Sequence, residues 1–119
     1  MLRLCPMLRL WMSLILLGIS SPAGHAAQLI MTDQRGCVYC AEFGREVVPV
    51  YGQTELGRAV PLRQIDARVP WPDDLRHIVR PRATPIFILV DKGKEIGRWA
   101  GYVSREDFFA KLGRLAARL

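Results

Sequence analysis

Cys37-Val38-Tyr39-Cys40 constrains this chain more than any other stretch. Two thiols three residues apart lie on one face of a helical turn, near enough to close a small disulfide ring. So short a loop hardly restricts the unfolded chain, so the pair contributes little as a staple. An exposed disulfide of this kind is labile and exchangeable. About 45 residues on, Thr84-Pro85 opens the apolar run Ile86-Phe87-Ile88-Leu89-Val90. Such a run suits a central strand covered on both faces.

The first 26 residues read as a secretory signal peptide. Arg3 and Arg9 make a basic start, and Leu10 to Ile19 is apolar except for Ser13 and Gly18. Pro22 and the small residues up to Gly24-His25-Ala26 then supply a cleavage site. An apolar stretch of about ten residues is short for a membrane span, which needs roughly 20; a retained anchor is the alternative. Cleavage after Ala26 leaves residues 27–119, enough for one small domain. Cys5 leaves with the signal segment, and Cys37 and Cys40 remain for an oxidising, periplasmic setting. Losing Arg3 and Arg9 lowers the formal net charge from +6 to +4. The basic residues are scattered, so no nucleic acid is expected as a partner, only a modest preference for acidic protein surfaces.

Residues 28–32 read as a strand, and 33–36 as a turn into a helix that starts near Cys37. That helix should bury Phe43, Val47 and Val48, and Pro49 should kink or end it. A loop or helical turn leads through 52–57 to a second strand over 62–66. Asp73 or Asp74 is placed to cap a short helix through Val79, which Pro81 stops. A third strand spans 86–91, and Lys92-Gly93 turns the chain into a fourth over 95–100. Ser104 and Asp107 form a capping box for a last helix whose stripe is Phe108, Leu112, Leu115 and Leu119. The first crossover should be parallel and the last hairpin antiparallel.

This α/β order, βαβαββα with a four-stranded mixed sheet flanked by helices, is the minimal thioredoxin/glutaredoxin layout. The chain resembles the thioredoxin-like superfamily through Gly36-Cys37-Val38-Tyr39-Cys40, Ala83-Thr84-Pro85-Ile86-Phe87 and the Gly93, Gly97, Gly101 hairpin. Gly57 to Arg63, Pro70-Trp71-Pro72 and Gly97-Arg98-Trp99-Ala100-Gly101-Tyr102 are similar to the SoxS branch, the periplasmic thioredoxins of bacterial sulfur-oxidation (Sox) systems. Two positions depart from common patterns. Gly36 stands where thioredoxins usually carry Trp, and Val38 where glutaredoxin-like motifs usually carry Pro.

The resemblance implies a cis Thr84-Pro85 bond beside the dithiol, with the Thr84 backbone free to pair with an extended substrate. It also implies a reductant that keeps a Sox sulfur-carrier protein active, supplied with electrons by a membrane thiol transporter. A general periplasmic dithiol protein, for example in cytochrome c maturation, is the enzymatic alternative.

Cys37, at the helix start, is the expected nucleophile, its thiolate favoured by unpaired N–H groups and the helix dipole. Cys40, one turn further in, is the resolving thiol. Tyr39 either lines the substrate groove or is a plain exposed aromatic. Glu42 and Asp66 read first as solvated, on a helix face and at a strand-end turn, with assistance to proton transfer as the alternative. Trp71, Trp99 and Tyr102 read as packing residues, and His77 as a surface residue. A non-catalytic metal-handling domain is the remaining alternative. It is disfavoured because two Cys and His77 fall short of four ligands, and Ala41 stands where haem attachment needs His. No cofactor is expected, and the protein should act as a monomer on a protein disulfide.

Overall fold

The computed structural model describes residues 27–119, so the signal-peptide reading lies outside the described residues. Strand β1 spans Ala27–Asp33 and helix α1 Val38–Glu46. Two short helices follow, α2 (Val48–Tyr51) and α3 (Glu55–Ala59), and then β2 (Leu62–Asp66). After a long connection come β3 (Ile86–Asp91), β4 (Lys94–Ala100) and α4 (Arg105–Ala116). The sheet order is β2-β1-β3-β4. β1 and β2 are parallel, while β1–β3 and β3–β4 are antiparallel. The sheet is mixed, and the apolar run of β3 occupies a central position.

Alternation along the central strands sends side chains to two cores. On one face Leu29, Met31, Phe87 and Leu89 meet Phe43 and Val47 from the α1 segment and Phe108 and Leu112 from α4. Phe43 is the hub there. Its ring lies 5.0 Å from Phe87, 5.1 Å from Phe108 and 5.7 Å from Tyr102, mostly edge-on, as aromatic quadrupoles prefer. On the other face Ile30, Ile65, Ile88 and Val90 are covered by Leu75, Ile78 and Trp71 from the long connection.

Local chemistry explains the boundaries. Ser104 caps α4 by accepting the N–H of Asp107. Lys92 (φ 52°) and Gly93 (φ 79°) make the tight turn between β3 and β4. No described helix is long and apolar enough to cross a membrane.

Three local expectations need correction. The segment after Asp73 forms only a 3-10 turn, Asp73–Leu75, instead of a helix to Val79. Asp74 is engaged by Arg63 at 2.6 Å, and Pro72, which lacks a capping side chain, precedes the turn. Val48 is exposed: at about 100° per residue it stands roughly 140° round the helix from Phe43, whereas Val47 stands about 40° away and is buried. Pro49 goes with the expected break: α1 ends at Glu46, and the proline sits in the first turn of α2, where its missing N–H costs nothing. Leu119 lies beyond α4 and is exposed.

Candidate active site

Cys37 and Cys40 form a disulfide with Cα atoms 5.2 Å apart, inside the ordinary range. Cys37 is the N-cap of α1, and its Sγ accepts the N–H of Cys40 at 3.2 Å. Gly36 brings the chain to this position with φ at +87°, a left-handed backbone that strains any residue with a Cβ. A Trp there would be strained, which accounts for the first departure from the common pattern. The two sulfurs are not equivalent. Cys37 is half-buried at the rim, whereas Cys40 is 5% exposed and belongs to the helix-side core.

The loop before β3 forms the opposite wall. The Thr84–Pro85 peptide bond is cis, and Pro85 is buried. Thr84 and Tyr39 share a shallow hollow of about 420 Å³ with Cys37. Tyr39 and Val38 are 57% and 65% exposed, a small apolar lip on the rim. Among the described residues, no hydrogen bond engages the backbone of Thr84, while Pro85 accepts the N–H of Gly101 through its carbonyl.

Thr32 is the residue that sequence reading passed over. Apart from Tyr51 and Tyr102, it is the one buried side chain with a hydroxyl or charge among the described residues, 1% exposed near the end of β1. Its hydroxyl donates to the carbonyl of Ala83 at 3.0 Å and accepts the N–H of Ile86 at 2.9 Å. Thr32 thus clamps both ends of the Ala83–Ile86 loop to the strand that leads into the dithiol. A threonine inside an apolar strand was the only signal available.

The other candidates have local partners of their own or lie in the cores. Asp66 ends β2, and its carboxylate is held low mainly by hydrogen bonds from Arg68. Glu42 is half-exposed on α1. Trp71 donates its indole N–H to the carbonyl of Leu75 at 2.8 Å, which packs it under its loop. Trp99 stacks on Phe87 at 4.9 Å. Tyr102 donates its hydroxyl to Glu46 at 2.7 Å, and burial together with that carboxylate pushes its pKa upward. His77 is exposed. Among the described residues, no three His, Cys, Asp or Glu side chains converge as metal ligands.

A mixed sheet that delivers a Cys-x-x-Cys pair to a helix start, facing a proline loop, defines a thioredoxin-fold thiol–disulfide oxidoreductase. The family model of the thioredoxin-like domain matches residues 19–116, and the chain belongs to that family.

The periplasmic thioredoxin SoxS of Paracoccus pantotrophus, solved in its reduced form, is similar at 37% identity and a TM-score of 0.69. The match covers 75% of this chain and 94% of that one. A thioredoxin of Thermus thermophilus is similar at 22% identity and a TM-score of 0.59, over 76% of this chain and 73% of that one. One from Malassezia sympodialis stands at 21% and 0.56, with 76% of each chain covered. These last two speak for the fold alone. A comparison with curated proteins gives no match.

Proposed function

We propose that this chain is an exported reductant of protein disulfides, with Cys37 as nucleophile and Cys40 as resolving thiol. The asymmetry of the pair carries the reading. The rim sulfur accepts an N–H at a helix start, where a thiolate is stabilised, while the inner sulfur is shielded by the core. In the reduced protein the Cys37 thiolate attacks one sulfur of the partner's disulfide, and the other leaves as a thiolate. Cys40 then attacks the Cys37 sulfur and frees the partner's remaining thiolate. The dithiol loses two electrons and the partner's disulfide gains two. Tyr39, Thr84 and Pro85 border the place where the partner's chain lies.

The likeness to a periplasmic thioredoxin and the signal-like residues 1–26 support a periplasmic location, with a mature chain over 27–119 acting as a monomer. Within that compartment the partner is a sulfur-carrier protein of a Sox thiosulfate-oxidation system, and a membrane thiol transporter supplies the electrons. A Cys40→Ser variant expressed in the native host under thiosulfate growth tests this. It should accumulate as a mixed disulfide with the sulfur carrier, in a periplasmic fraction, on a chain beginning at Ala27. Trapping of other proteins only, or an intact N-terminus in the membrane fraction, overturns the specific reading.

A further inference from the structure

Three shallow hollows meet at the exposed Gln34, just past β1. One, described above, opens on Cys37 and is bordered by Arg35. The next, of about 530 Å³, runs past Arg80 and Arg82. The third, of about 440 Å³, passes Asp33, Asp66 and Arg68. This surface therefore carries four arginines against two carboxylates.

The pairing is uneven. Arg68 is matched with Asp66 at 3.1 Å, and Asp33, which accepts the N–H of Gln34, keeps its negative charge in the hollow that Arg35 also lines. Among the described residues, Arg35, Arg80 and Arg82 form no ion pair. Arg80 donates to the carbonyls of Ala67 and Val69, contacts that fix the cation in place without neutralising it. Arg82 lies two residues before Thr84, and Arg35, whose charge is also felt by Asp66, two residues before Cys37, so positive charge in net excess flanks both walls of the dithiol.

We propose that this arginine-bordered groove selects an extended partner segment with acidic residues on either side of its cysteine. The inference rests on the reading of Cys37 as the attacking thiol. Charge of one sign around a cleft steers oppositely charged partners into it and disfavours like-charged ones. The bond changes are those of the exchange already given; the arginines act on encounter and register.

The test uses two synthetic peptides that differ only beside one cysteine, with Glu on both sides or Gln on both sides. Each is supplied as its mixed disulfide with 2-thiopyridine, an uncharged reporter whose release is followed by absorbance. Rates are divided by those with dithiothreitol, a neutral thiol. At low ionic strength the reduced protein should favour the Glu peptide about tenfold, the scale of two or three exposed ion pairs. The ratio should shrink toward one at 1 M salt, where the Debye length is about 3 Å. The double variant Arg35→Glu, Arg82→Glu should abolish or invert it. A ratio near one at low salt, or an unchanged ratio in the variant, overturns the proposal. Failure of the dithiol reading looks different: neither peptide would then react faster than with a Cys37→Ser control.

Discussion

The hydroxyl of Thr32 accepts the backbone N–H of Ile86 at 2.9 Å, across 54 residues of sequence. With the bond to Ala83, it makes one side chain the tie between the strand that leads to the dithiol and the loop facing it. Thr32→Val keeps the shape and removes both bonds. It should cost on the order of 1–3 kcal/mol in urea denaturation, because the buried N–H of Ile86 loses its partner. KM for a protein disulfide should rise, while alkylation of reduced Cys37 keeps its rate. Thr32→Ser should recover most of both losses. An unchanged KM in the valine variant would remove Thr32 from the site.

The exposure difference between the sulfurs predicts asymmetric labelling. With the protein reduced at neutral pH, iodoacetamide should modify Cys37 at least about tenfold faster than Cys40, as mass spectrometry of early time points will show. Cys40→Ser should trap partner disulfides and Cys37→Ser none. Equal labelling would dissolve the assignment of roles.

Gly57 packs directly under the carbonyl of Tyr51, with a Cβ there also only 2.9 Å from Oγ1 of Thr54. The carbonyl is backbone and yields little, so Gly57→Ala should destabilise the fold by on the order of 3 kcal/mol. Calorimetry of the variant checks this; a melting temperature within 2 °C or so of the parent would contradict the packing, given the roughly 4–8 °C per kcal/mol of a domain this size.

Alkali should weaken the fold. Burial pushes the Tyr51 hydroxyl above its usual value near 10, and the hydroxyl donates to the carbonyl of Val60. The unfolded chain ionises first, so above about pH 10 it binds fewer protons than the folded one. The stabilisation is therefore whole below pH 10 and declines as pH rises toward the folded value. Tyr51 contributes a slope of up to about 1.4 kcal/mol per pH unit. Tyr51→Phe should roughly halve the pH dependence of urea midpoints between about pH 9 and 11, leaving the share of Tyr102, whose pKa is also raised; an unaltered slope would exclude Tyr51 as a source.

The elements written into local pattern were legible. The apolar run of β3 and the segment Leu62–Asp66 announced their strands, and Ser104 with Asp107 announced α4. Cys37 and Cys40 were legible because their spacing is itself the chemistry. Other features depend on partners distant in sequence. Asp74 was free to be read as a cap until Arg63 claimed it. Thr32 looks like an ordinary strand residue because both of its partners lie more than 50 positions away.

One sulfur at the rim and one in the core leave the molecule a single doorway. On the proposed reading of Cys37 as the nucleophile, whatever brings electrons and whatever takes them call there in turn, never together. Turnover is then double-displacement, with parallel lines in double-reciprocal plots. The scarcer visitor sets the pace, so the traffic around the protein, as much as the chemistry of the pair, governs how fast it works.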